Sequence, residues 1–165
     1  MTGWRYILVP AALLGAMVFA PQPAHAACNP VSACSCTVTT TGVNFGTYDP
    51  LSQVDDSSAG TIRVRCTLAV PLSGSFTVDL STGTSGTYSQ RTLKKGSSSL
   101  AYNLFADSAL SQVWGNGTGG SIRVSQSFSN LFVVDRTISA YGRIPAGQNV
   151  SAGAYADTIV VTVTY

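Results

Sequence analysis

The chain has 165 residues, a formal net charge of +2 and only 10% charged side chains, against about 25% in average globular proteins. Solubility therefore falls to serine, threonine and glycine, and no strong field exists to hold nucleic acid or an anionic membrane. Glutamate is absent and the single histidine, His25, sits in the leader, so once the leader is removed a Ser-His-Asp triad is excluded.

The leader is read first. Met1–Tyr6 carries one positive charge, Arg5. Ile7–Ala20 is apolar, and Ala24-His25-Ala26 sets small residues where a signal peptidase reads. An apolar run of roughly 14 residues is too short to span a bilayer, which needs about 20. The pattern predicts a signal peptide over 1–26 and one exported domain over 27–165. With Arg5 gone, eight Lys/Arg face seven Asp, and a surface that close to neutral permits association.

Cys28, Cys34, Cys36 and Cys66 all follow the leader. An even count in an exported chain reads as two disulfides, in one of three pairings. Cys34-x-Cys36 is too tight for the usual zinc knuckle, and no histidine remains to help, so no metal is expected. Cys36 and Cys66 each lie inside a strand-like run, which favours Cys36–Cys66 with Cys28–Cys34. The other two pairings stay open.

Beyond the cysteine-rich start, the chain reads as strands between Gly/Ser/Thr/Asp turns. In Gly60–Leu68, Ile62, Val64, Cys66 and Leu68 alternate with Arg63, Arg65 and Thr67, a period of two with one buried face. Ser75–Leu80 repeats this with Phe76, Val78 and Leu80. Ser99–Phe105 and Ser121–Phe128 are weaker strands, and Phe132–Ile144 is a longer one. A helix over 101–114 is the alternative for one stretch, but Asp107-Ser108 reads as a turn. The clearest strand is Asp157–Tyr165, with Ile159, Val161, Val163 and Tyr165 on one face. Its branched residues suit the pleated backbone. Six or seven such strands predict a two-sheet sandwich.

Motifs for chemistry are weak. Gly115–Gly120 matches G-x-G-x-x-G, yet the following Ile122–Ser125 alternates like a strand, where a dinucleotide site needs a helix. No cofactor is expected. The aspartates lie mostly in turn-like settings, such as Asp49-Pro50 and Asp55-Asp56, which offer no glycosidase-like pair. Lys94 and Lys95 sit beside an exposed turn, so no Ser/Lys dyad is expected either. Asn116-Gly-Thr118 and Asn149-Val-Ser151 fit a glycosylation sequon and are read as turns. Tyr48, Tyr88, Trp114 and Tyr141 are candidate stacking surfaces for a sugar-binding module, although core or turn packing explains each more simply. The chain is read as a non-enzyme.

Several stretches, in order, carry a likeness: Cys36-Thr-Val38, Val43–Pro50, Gly60–Cys66, Tyr102–Asp107, Trp114-Gly115, Tyr141–Gln148 and Gly153–Tyr165. Through them the chain resembles the spore coat protein U domain family, which includes the subunits of archaic chaperone–usher pili. The resemblance implies an all-β, immunoglobulin-like β-sandwich that lacks its last strand and is completed by a donor strand, a form of β-strand addition. It implies a periplasmic chaperone, an outer-membrane usher and other pilus or coat subunits as partners. It implies no nucleic acid or small-molecule cofactor, and a final location at the cell surface or outside the cell. It implies a Cys36–Cys66 disulfide between the first two strands. It also implies an acceptor groove between the strand from Cys36 to Phe45 and the last strand, lined by Val38, Phe45, Ile159, Val161 and Val163. One feature departs from a shaft subunit. Residues 27–35 hold two cysteines, Pro30 and a single apolar anchor, Val31, which makes a poor donor strand and suggests a tip position.

Overall fold

The computed structural model of the chain describes residues 24–27 and 34–165. Its elements are β1 (Ala24–Ala27), β2 (Cys34–Thr41), β3 (Asp56–Leu80), β4 (Arg91–Lys95), β5 (Ser98–Phe105), β6 (Val124–Ile144) and β7 (Val161–Thr164). A short 3₁₀ turn spans Gly83–Ser85. The strands follow the order β1-β2-β3-β6-β5-β4, and β7 joins the second half of β3. All ladders are antiparallel. The fold is all-β, as the period-two pattern predicts.

Two predicted pairs of strands turn out to be single ones. Gly60–Leu68 and Ser75–Leu80 belong to the 25-residue β3, and Ser121–Phe128 and Phe132–Ile144 merge largely into the 21-residue β6. The reason is mutual pairing. β3 and β6 run together from Asp56↔Ile144 to Val78↔Val124, with register shifts between Thr67 and Leu72 and between Leu72 and Gly74. The turn residues Pro71 and Gly74 are absorbed as a bulged bend rather than ending the strand. A straight strand of this length would reach roughly 80 Å, far beyond a domain of this size. Instead Phe76, Val78 and Leu80 from one half share a core with Ile62, Val64 and Cys66 from the other. That sharing requires the ribbon to curl back over itself, which gives the sandwich its two layers.

The core is apolar and closely filled. Val64, Val78, Val134 and Trp114 are fully buried, and the Trp114 indole N–H donates to the Val78 carbonyl at 2.8 Å, so its one polar atom is satisfied. Cys36 stands directly opposite Cys66 in the β2–β3 ladder, and the two form a disulfide. The predicted Cys28–Cys34 pair involves Cys28, which lies outside the described residues. The predicted signal peptide lies there too, except for Ala24–Ala26, which with Ala27 form β1 against Ser35–Val38. Cleavage after Ala26 would cut within that strand.

The strand predicted over Asp157–Tyr165 is shorter in the structure. Only Val161–Thr164 ladders with β3, because β3 ends at Leu80. Residues 156–160 run on extended, held by individual bonds described below. After β2 the chain steps across β3 at Gly60, where an added Cβ would lie 2.4 Å from the Thr41 carbonyl oxygen. Only glycine permits so close a crossing.

Candidate functional site

The crossing at Gly60 carries residues 40–48 along one side of an open groove, and the C-terminal segment 150–161 forms the other side. Between them the groove opens toward the core, with half-buried apolar walls over a buried floor. Ile62, Leu80, Tyr102 and Leu104 floor a cavity of about 210 Å3, and Leu100 and Ile144 floor a second of about 630 Å3. The two meet at Val43, Phe45, Leu93 and Asp157, which line both. This is one groove with a neck.

Each wall is held by polar contacts. On the C-terminal side, Lys94 and Ala156 exchange backbone bonds of 2.7 and 3.0 Å. The Val160 N–H donates to Ser81 Oγ at 2.9 Å, and the Ser81 N–H donates to the Val160 carbonyl at 3.0 Å. The Asp157 carboxylate accepts from the Thr84 N–H at 2.9 Å and from the Tyr102 hydroxyl at 2.7 Å. On the other side, Ser58 Oγ donates to the Asn44 carbonyl at 2.6 Å. The Tyr48 hydroxyl donates to the Pro145 carbonyl and accepts from the Gln148 N–H. Phe45 stands edge-on to Tyr102, with ring centroids 6.1 Å apart, the favoured aromatic geometry.

Beneath the groove lies a buried cation. Arg91 is 0% exposed. Its guanidinium donates to the Ser81 and Trp114 carbonyls and to Asn103 Oδ1, at 2.7 to 3.0 Å, and stacks 5.3 Å from the Tyr88 ring centroid. Burial draws its pKa below the ordinary value. Burial, and then the bond to Asp157, push the Tyr102 phenol well above its ordinary value. Tyr102 is therefore a permanent hydrogen-bond donor.

The structure places Phe45, Ile159 and Val161 together in the lining of the cavity of about 210 Å3. Val38 and Val163 pack against the core outside the two cavities, and Val38 lies opposite Ala24 of β1. The sequence reading missed Val43, Leu93, Tyr102 and Asp157 as lining residues. A signal for Tyr102 was present, since it alternates with Leu100 and Leu104. None existed for Asp157, whose partners lie 55 and 73 positions away. Trp114 is fully buried and offers no stacking surface, which corrects that part of the sugar-binding alternative. Tyr48 and Tyr88 are tied through their hydroxyls to backbone groups. Among the described residues no cluster of three metal-ligating side chains occurs, and no helix is long and apolar enough to cross a membrane.

Residues 23–162 match the model of the Spore Coat Protein U domain. The chain belongs to the Spore Coat Protein U domain family. It is 33% identical over 132 residues to Protein U of Myxococcus xanthus, across 74% of this chain and 71% of that one. Its fold is similar to a chain in the CsuC–CsuE chaperone–tip adhesion subunit pre-assembly complex, from the archaic chaperone-usher Csu pili of Acinetobacter baumannii. The TM-score is 0.54 at 22% identity, over 80% of this chain. This Spore Coat Protein U domain chain spans 40% of that solved chain's length, and the likeness establishes an immunoglobulin-like fold.

Proposed function

We propose that this chain is a non-catalytic, exported subunit of a chaperone–usher-type surface fibre, and that its groove accepts an extended strand from a partner. The observation that carries this is the apolar groove that opens over the core between residues 40–48 and 150–161. Ile159, Val161 and Val163 are only half-buried, and β7 is laddered to β3 alone among the described strands. A strand laid there would gain backbone bonds from an open edge and bury alternate apolar side chains on the floor. Leaving such an edge bare invites aggregation, which is the physical reason for a chaperone to hold the chain before a neighbouring subunit does. A periplasmic chaperone, an outer-membrane usher and other subunits are accordingly the proposed partners, with export through a signal peptide over 1–26. Residues 27–35 lack the alternating apolar pattern of a donor, which supports a position at the fibre tip.

The test is thermal unfolding of the oxidised chain 27–165, alone and with peptides of alternating apolar residues. An acceptor is rescued by such a peptide. At 100 times its Kd the peptide adds about 2.7 kcal/mol of stability. A chain that melts cooperatively and ignores every peptide would mean the groove is not an acceptor. A second reading, a cell- or spore-surface coat protein, is favoured by the family model itself, and finding the chain in a coat layer without fibres would select it.

A further inference from the structure

The two walls of the groove are joined through one side chain of its floor. Tyr102, on β5, is 4% exposed. Its ring carries Phe45 of the first wall edge-on at 6.1 Å, and its hydroxyl donates at 2.7 Å to Asp157 of the second. Phe45 and Asp157 are also two of the four residues at the neck, where both cavities meet. Neither is free to drift. Phe45 is seated on Gly142, where an added Cβ would lie 2.6 Å from its ring, and Asp157 also accepts the Thr84 N–H. A rigid aromatic ring with a charge-assisted bond at its tip is therefore a spacer of fixed length between two anchored points.

We infer that Tyr102 is a positioning residue that sets the width of the groove at its neck, and so limits the size of the side chain an incoming strand places there. This rests on the groove being a strand acceptor. Removing the hydroxyl leaves the ring and its packing in place but releases Asp157. Removing the carboxylate's charge, in Asp157→Asn, weakens the same bond from the other end. Either change loosens the Asp157 side chain at the neck while the backbone bonds at Ala156 and Val160 still hold the wall, so a bulkier side chain becomes tolerable at that one point. A purely structural role would behave differently: loss of fold stability would weaken all peptides alike and leave their ratio unchanged.

The experiment uses the oxidised chain and two lysine-tagged probe peptides of alternating valine and threonine, one with a central phenylalanine in place of valine. Affinities are measured by fluorescence anisotropy on the wild type, Tyr102→Phe, Asp157→Asn and the double variant. The wild type is expected to prefer the all-valine peptide by about tenfold or more, since misfit in a packed site is costly. Tyr102→Phe and Asp157→Asn should each narrow that ratio to about threefold or less, and the double variant should narrow it no further, because both act on the Tyr102–Asp157 bond, an amide oxygen still accepting the Thr84 N–H in Asp157→Asn. An unchanged ratio in a folded Tyr102→Phe overturns the inference, and so does additivity in the double variant. Should Tyr102→Phe fail to fold, Asp157→Asn alone decides by the same ratio. A wild type that binds neither peptide sinks the acceptor reading itself, and the inference with it.

Discussion

Arg91 is fully buried, and its guanidinium is satisfied by two carbonyls and the Asn103 amide oxygen rather than by a carboxylate. Each of those acceptors would be stranded by truncation, and a stranded buried polar group costs about 1–3 kcal/mol. Arg91→Met is therefore expected to destabilise by about 3 kcal/mol or more, and Arg91→Lys by less, since a point charge reaches fewer acceptors than the planar fork. Denaturant unfolding followed by Trp114 fluorescence measures both. Two aspartates contribute to the acid response. Asp107 is held below the ordinary carboxylate value of 3.8 by the Ser111 hydroxyl and the Gln112 N–H, and Asp135 by its bond to Arg63. A lowered folded-state pKa gives stability that is present above the unfolded value and lost as pH falls through the folded one. The urea midpoint should therefore stay level from neutral pH to about 5 and drop below about 4, and Asp107→Asn should soften that drop. A midpoint that rose on acidification would contradict this.

At the scale of elements, the β2–β3 pair is fixed by a covalent and a steric device. The Cys36–Cys66 bridge closes a loop of sequence separation 30, worth roughly 3–4 kcal/mol in the chain-entropy view. Replacing both cysteines with alanine should lower guanidinium stability by about that amount, and reductant should then have no further effect on this bridge. The steric device is Gly60, over which the Thr41 carbonyl passes. Gly60→Ala puts a methyl group into backbone that cannot swing aside, so a loss of about 1–3 kcal/mol is expected. Its measurement is again the unfolding midpoint, and a neutral result would mean that residues 41–43 relax freely. The strand patterns of β3, β5 and β7 were legible because one face meets the core and the other meets water. Their lengths were not. β3 passes through Pro71 and Gly74 because β6 supplies its ladder, and that support comes from residues about 60 positions away.

For the whole molecule, curling of the β3–β6 ribbon closes one core yet leaves a groove over it between residues 40–48 and 150–161. An occupant that fills the groove must stabilise the entire fold, because its floor, including Ile62, Leu80 and Leu104, belongs to the common core. Val161→Asp places a charge on the half-buried face of β7. It is expected to abolish peptide-induced stabilisation while changing the free chain's melting temperature by only a few degrees, since that side chain already meets water. Differential scanning calorimetry with and without peptide checks this. Equal rescue of wild type and variant would place the peptide elsewhere.

The sequence by itself determined the all-β class, the apolar run at the start of the chain, the lack of histidine after it, the pairing preference of Cys36 and Cys66, and the order of the family's motifs. All of these are local: a period of two, a run of apolar residues, a missing residue type, or motifs in linear order. Only the tertiary structure decided that four expected strands are two, that Val38 and Val163 fall outside the cavities, that Arg91 is buried, and that Tyr102 joins Phe45 to Asp157. Those facts depend on which distant residues meet. An arginine or an aspartate in a strand-like sequence reads as exposed until a fold supplies its partners, and hydrogen bonds across 55 positions leave no periodic trace along the chain.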